Sequence, residues 1–413
     1  MSTVKIKKAL LVEVALIRVL SIAFQLVFLK LYTYNTSIYE LGTYYFLFTV
    51  SYCINAFLLI PLDYFQQSNI YKLKEGNYSL QSFNAINLTV LKLLFLLLTA
   101  SCLLSIVFFP KYFILIVIII LLSISTYFVT LIRGFINNLE LRRQATYCLL
   151  LENCAKIAVF FLLNKMAGHS SALMILQSLL FSSLIAFATL YVILRRIPEY
   201  NTGAIYKFDI KETFKFSYPM TFNAVINMLQ TQGYRLILVP LGLTEVVGIY
   251  ATVANVGISG TNAYSTVFGQ IFVPGLYKTH GKYILTYLRN ALLSLIVIML
   301  GGYLFSNLVI RIITKSMLVK YSSLILYGIM TEGGNFLAGA LIIYLTIKGK
   351  TYFTIRASTL GIVVLMISFG LLYFFKILNV YTIGIPIALS QVCITSYFFI
   401  IVYKLTAKST NHE

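Results

Sequence analysis

The chain has 413 residues, of which 60% are hydrophobic and 11% charged, and it carries 32 Lys and Arg against 12 Asp and Glu, a net charge of +20. A soluble protein is about 25% charged and needs that polar skin to cover its cores, so this composition excludes a soluble globular chain and requires lipid as solvent over most of the length. It also excludes nucleic acid as the target of the basic excess, because that reading needs a folded polar domain with clustered Lys and Arg.

In chain order, Lys5, Lys7 and Lys8 precede a first apolar run at about 9–31. The run contains Glu13 and Arg18 and lacks a small-residue cleavage site, so it reads as a retained span and not as a signal peptide. A helical span takes about 20 mostly apolar residues. Further runs of that kind lie at about 42–65, 88–109, 112–132, 145–163 and 172–194. A polar stretch at roughly 195–213 follows, and then six more runs at about 214–240, 246–274, 284–309, 321–347, 353–375 and 380–403. The runs are continuous and lack period-two alternation, which excludes a transmembrane β-barrel. The expected fold is an all-α integral membrane protein of twelve transmembrane helices in two six-helix halves with a central cleft. The halves are residues 1–197 and 214–413, joined by a cytoplasmic linker at 198–213.

With the N-terminal side called side one, its segments hold 22 Lys and Arg and the other side seven. Such a bias across short loops places both termini in the cytoplasm. In this count Arg133 belongs to a cytoplasmic loop, Asp63 lies near a span end, and only Arg18, Lys156 and Arg235 are basic residues inside spans. The five cysteines lie in or beside apolar runs and the three histidines (His169, His280, His412) in loops or the tail, without metal-ligand spacing; no metal or cofactor is expected.

The second span opens with Glu40-Leu41-Gly42-Thr43-Tyr44 and the eighth with Glu245-Val246-Val247-Gly248-Ile249-Tyr250. Aligning the G-x-Y triplets gives an offset of 248 − 42 = 206, half the chain. Two such halves, each with an even number of spans, are parallel repeats, an arrangement typical of secondary transporters.

Polar residues at membrane depth are costly and mark cavities or partners. They concentrate in spans one, two, seven and eight. Arg18, Ser21 and Gln25 share one face of span one; Asn55 and Gln66 lie in span two. Asn223, Asn227, Gln230 and Tyr234 stripe span seven with Arg235 beside them, and Asn255, Ser259, Asn262, Thr266 and Gln270 stripe span eight. Arg18, Gln25, Asn55, Asn223, Asn227, Gln230, Arg235, Asn255 and Asn262 are therefore the candidate substrate-binding residues. The competing reading of the amides is hydrogen bonding between helices, and of Arg235 a side chain reaching back to the outer surface. Glu152 and Lys156 in span five stand at i, i+4, which suits either a neutralising salt bridge or a switchable pair. Glu332 in span ten lies among Gly333, Gly334, Asn335 and Gly339 with no basic residue within a turn, and is a candidate proton or cation coupling site unless a cation on another helix pairs with it.

The line Phe216-Ser217-Tyr218-Pro219, Asn223, Gln230, Arg235, Leu241-Gly242, Val247-Gly248-Ile249-Tyr250-Ala251, together with the twelve duplicated spans, resembles the polysaccharide flippases of the MOP (multidrug/oligosaccharidyl-lipid/polysaccharide) exporter superfamily, in particular the Wzx-type O-antigen flippases. Many of those proteins have Asp where this chain has Tyr234. The resemblance implies a non-enzymatic flippase of the bacterial inner membrane. Its substrate would be an undecaprenyl-pyrophosphate-linked oligosaccharide, moved from the cytoplasmic to the periplasmic leaflet by alternating access coupled to an ion gradient, with a polysaccharide polymerase and a chain-length regulator as further partners. Two alternatives remain open: a MATE-like exporter, which would need an acidic cleft for cationic substrates, and a membrane polysaccharide polymerase or ligase, which would need a large periplasmic loop with catalytic Arg or His.

Overall fold

The computed structural model describes residues 8–108, 110–168, 170–279, 281–350 and 352–410. Lys5, Lys7, His169, His280 and His412 lie outside the described residues, as do the side chains of Lys8, Phe216, Tyr218, Pro219 and Gln270. Among the described residues there are twelve long helices. They are α1 (Lys8–Asn35), α2 (Ile38–Glu75), α3 (Asn84–Phe108), α4 (Phe113–Asn138), α5 (Arg142–Ala167) and α6 (Ala172–Arg195), then α7 (Ile210–Leu238), α8 (Thr244–Lys278), α9 (Ile284–Ile313), α10 (Ile325–Ile347), α11 (Tyr352–Phe374) and α12 (Gly384–Thr410). The only β pairing among them is an isolated bridge between Tyr78 and Ala204.

Ten helices are long and apolar enough to cross a membrane. The other two, α7 and α8, are 29 and 35 residues long. Their length is ample, and the Asn, Gln and Thr residues along them lower their hydropathy. Every expected span falls on a helix, but two boundaries differ from the expectation. Helix α2 continues to Glu75, so Asp63 lies well inside it and not near its end. Helix α4 continues to Asn138, which moves Arg133 from a loop onto the helix. Hydropathy does not mark these ends, because the last turns of both helices are polar.

Helix α2 is interrupted by a π turn at Asn55–Leu59. Pro61 follows it and supplies no backbone N–H, so the regular hydrogen-bond ladder cannot run through this point. π turns inside α-helices are frequent at functional sites.

The chain divides into two compact units: Met1–Ser37 with Phe46–Val225, and Ile38–Tyr45 with Ile226–Glu413. In the first, Leu59, Ile70, Phe83, Leu131, Ile136 and Leu190 are among the buried core side chains. In the second, Phe268, Tyr287, Phe336 and Tyr344 form an aromatic core with Leu341 and Phe398. Phe268 meets Tyr287 and Phe336 edge to face, both at 5.2 Å between centroids. Large apolar residues face outward on α3, α9 and α11, such as Leu96, Leu304 and Phe374. That surface would aggregate in water and is matched to hydrocarbon.

The second unit contains a close helix crossing built on the repeat. A Cβ at Gly42 would strike the Thr244 carbonyl oxygen, and a Cβ at Gly248 would strike the Ile38 carbonyl oxygen. Residues 38 and 42 map onto 244 and 248 by the same offset of 206, so the two contacts are mirror versions of one another. Helices α8 and α10 cross as tightly, with Gly257 against Ile325 and Gly328 against Ala254. Its counterpart in the first unit joins α2 and α4, where the Ser51 and Ser123 hydroxyls are 2.8 Å apart. Ser51 lies 206 positions before Gly257. Small residues let membrane helices approach to backbone contact, which lipid alone would not drive.

Candidate functional site

In the first unit, polar side chains link α1, α5 and α4 in one chain. Ser21 is buried and receives a hydrogen bond from Asn153 Nδ2 at 2.6 Å. Asn153 Oδ1 accepts from Lys156 Nζ at 3.3 Å. Lys156 lies 2.8 Å from Glu152 Oε1, and Arg133 Nη2 pairs with Glu152 Oε2. The i, i+4 pair is therefore a triad of two cations and one carboxylate. Arg133 is the residue that sequence reasoning placed in a loop. The signal for it was an intramembrane carboxylate with one oxygen left open, beside a hairpin helix whose last turns carry an Arg.

Arg18 is half-buried on α1, one turn before Ser21, and the charge of Arg142 acts on it. The Glu13 carboxylate is bound by Arg143 Nε at 2.7 Å and by the Tyr147 hydroxyl at 2.9 Å. Gln25, two turns beyond Arg18, is exposed.

A cavity of about 520 Å³ opens beside the π turn, lined by Ser51, Asn55, Asp63, Gln67, Thr126 and Thr130 among others. Asn55 Nδ2 donates to Thr126 Oγ1 at 3.4 Å and to the Ser51 carbonyl at 3.3 Å. Both Asp63 oxygens accept from Gln67 Nε2, at 2.8 and 2.9 Å. Among the described residues Asp63 forms no ion pair. Ser217, from the motif that opens α7, donates to the Thr213 carbonyl of its own helix at 2.8 Å and lies 3.4 Å from the Pro61 carbonyl. Asn223, on the same part of α7, is half-buried with its Oδ1 unbonded among the described residues.

In the second unit Arg235 is 6% exposed, so it does not reach back to the surface. Its Nε donates to the Tyr234 hydroxyl at 3.0 Å and its Nη1 to Gln232 Oε1 at 3.2 Å. The guanidinium lies 5.0 Å from the centre of the Tyr45 ring and 5.4 Å from that of Tyr234. Tyr250 meets Tyr234 edge to face at 5.2 Å. The Tyr-Arg of α7 and tyrosines from the openings of α2 and α8 thus converge on one cation. A desolvated cation over aromatic faces gains roughly 2 kcal/mol from them.

The other candidates in this unit are dispersed. Gln230 is buried and donates to the Ser358 carbonyl at 2.8 Å, which makes it a tie between α7 and α11. Asn227 and Asn262 are exposed, and Asn255 is half-buried. Glu332 is half-buried and accepts from Asn335 Nδ2 at 3.3 Å on its own helix. Sequence reasoning missed Gln391 of α12, which is 2% exposed, packs against Gly334, and has no hydrogen bond to either amide atom among the described residues.

No protein-family model matches the chain, and no curated protein matches it. Solved structures do. An outward-facing multidrug-resistance MATE-family transporter of the MOP superfamily aligns with a TM-score of 0.67 at 13% identity, covering 97% of this chain and 96% of that one. An inward-facing MATE-family transporter of the same superfamily aligns with a TM-score of 0.66 at 12% identity, covering 96% and 99%. The lipid II flippase MurJ, in an inward closed conformation, aligns with a TM-score of 0.58 at 15% identity, covering 95% and 87%. The fold is that of the MOP transporters. At these identities the likeness extends to architecture alone, and the polar groups of this chain have to speak for its substrate.

Proposed function

We propose that this protein is a flippase for undecaprenyl-pyrophosphate-linked oligosaccharide repeat units of O-antigen or a similar surface polysaccharide, carrying them from the cytoplasmic to the periplasmic leaflet of the bacterial inner membrane. The observation that carries this reading is the placement of permanently charged guanidinium groups inside the helices of a MOP-type fold: Arg18 half-buried on α1 and Arg235 enclosed by tyrosines. A guanidinium is a planar donor fork suited to phosphate oxygens, and it cannot be neutralised by losing a proton. A site for cationic drugs would need the opposite sign. Gln25, Asn55, Asn223, Asn227, Asn255 and Asn262 supply amides for sugar hydroxyls, while Gln230 ties α7 to α11. Likeness to both an inward-facing and an outward-facing transporter supports alternating access by the two halves, 1–197 and 214–413, about the linker 198–213.

Coupling to an ion gradient is part of the proposal. Glu332 and Asp63 lie well inside their helices and form no ion pair among the described residues, which leaves each able to take up a cation. Glu152 and Lys156 would take part only by exchanging partners, since Arg133 and Lys156 already hold both carboxylate oxygens. A polymerase and a chain-length regulator would act on the delivered units.

The test is complementation of a deletion strain. Arg18→Ala should insert normally and fail to restore surface polysaccharide, with lipid-linked units accumulating on the cytoplasmic face. Normal polysaccharide in that strain would sink the role of Arg18. Units that reach the periplasmic face but stay unpolymerised in the deletion strain would sink the flippase reading in favour of a polymerase.

A further inference from the structure

A second cavity in the first unit shares no lining residue with the one beside the π turn. It measures about 720 Å³ and is walled by α3, α4 and α6. Its lining is mostly apolar, from Leu91 on α3 and Leu121 on α4 to Leu184 on α6. These three side chains are 37%, 38% and 44% exposed, so the cavity opens sideways toward the surrounding lipid. Of the polar groups deeper in it, Ser125 is bonded to Ser183 and Asn87 to Gln66 and Tyr127, and the charged group lies at one end. Asn84, Tyr191 and Arg195 form the mouth, where α3 begins and α6 ends.

The mouth is built around a fixed cation. Arg195 Nε donates to the Tyr191 hydroxyl at 2.8 Å, Nη2 bonds the same oxygen, and the guanidinium lies 5.0 Å from the ring centre. Tyr191 in turn stacks on Phe187 inside the cavity at 5.9 Å. Among the described residues neither Arg195 nor Arg196 forms an ion pair. The nearest acid along the chain, Glu199, is engaged 3.9 Å from Lys74. At 1.5 Å per residue the lining runs about 20 Å along α4 and α6. One leaflet of the hydrocarbon core is about 15 Å deep.

We propose that this groove is a binding site for one anionic phospholipid, its acyl chain between α3, α4 and α6 and its phosphate on Arg195. Depth decides the chain and charge decides the head. A groove one leaflet deep holds an acyl chain and is too short for a polyprenyl chain long enough to cross the bilayer. An unpaired guanidinium held at the rim favours a headgroup with net negative charge over a zwitterionic one, whose own ammonium would meet the same cation. Arg196, next to Arg195, adds to the attraction that an anionic leaflet exerts on juxtamembrane cations. The site is independent of the transported substrate and does not rest on the flippase reading.

Native mass spectrometry of the full chain, titrated with phosphatidylglycerol and phosphatidylethanolamine of matched acyl chains, tests it. The wild type should retain one phosphatidylglycerol with about tenfold preference, about 1.4 kcal/mol. Arg195→Gln, at an exposed position that leaves the fold alone, should bring the two lipids to near parity. Leu184→Trp should fill the groove and weaken both. Equal retention of the two lipids by the wild type, an unchanged preference in Arg195→Gln, or displacement of the bound phospholipid by stoichiometric undecaprenyl phosphate would each overturn the assignment.

Discussion

Glu152 is a carboxylate that two cations need more than it needs either of them. It is 9% exposed, with Arg133 on one oxygen and Lys156 on the other. Removing one member of a buried ion pair costs about 3–5 kcal/mol when it strands the other charge. The three members are therefore unequal. Glu152→Gln strands two cations, whereas Lys156→Met leaves a matched Arg133–Glu152 pair. The first variant should lose clearly more thermal stability than the second. The chain has no Trp, but Cys148 is buried beside this triad while the other four cysteines are partly exposed, so the rise in thiol-dye signal above the folded baseline reports the unfolding. Equal melting temperatures, or a larger loss in Lys156→Met, would show that the triad does not hold the unit together. The Glu152–Lys156 half was legible because i, i+4 spacing places two side chains on one helix face. The Arg133 half was not, because it depends on how far α4 extends past its apolar run and on how α4 packs against α5.

At the scale of elements, the sequence marks what lipid demands and is silent on what backbone geometry adds. Continuous apolar runs located all twelve helices, including α7 and α8, whose polar residues keep them out of the ten apolar enough to cross a membrane by composition alone. Pro61 marks a break in the ladder of α2 but not its form as a π turn at Asn55–Leu59, and without that form the cavity beside Asp63 could not be foreseen. The G-x-Y repeat was visible as a spacing, but its meaning was steric: the two glycines let α2 and α8 meet at their backbones. This gives a sharp contrast within one helix. Gly248→Ala drives a methyl group into the Ile38 carbonyl oxygen, while Gly260→Ala meets nothing within 4 Å. In a helix, Ala is favoured over Gly by about 1 kcal/mol. Gly260→Ala should therefore match or exceed the wild type in thermal stability in detergent, and Gly248→Ala should fall well below both. If the two alanine variants melt alike, the α2–α8 crossing is looser than the structure describes.

For the whole molecule, the excess of positive charge on an apolar chain is mostly a matter of orientation. Of 32 Lys and Arg, 22 were assigned to one side of the membrane and seven to the other. Moving Arg133 onto α4 takes one residue from the larger group and leaves the bias intact. Lys and Arg in short loops resist translocation, so the side that holds them stays in the cytoplasm. Both termini should then face the cytoplasm, because α1 to α12 cross an even number of times. A green fluorescent protein fused after residue 413 should fluoresce, and an alkaline phosphatase fused there should be inactive. The discriminating positions are the loops. Phosphatase fused in the α5–α6 connection should be active, and in the linker at 198–213 it should be silent. An active fusion in that linker would place Arg195 and Arg196 on the outer face. It would also put the mouth of the α3–α4–α6 groove in the wrong leaflet for the inward attraction argued above, while leaving the groove and its guanidinium intact. The orientation of the molecule and the lipid it selects are thus separate claims, and the fusions test the first without touching the second.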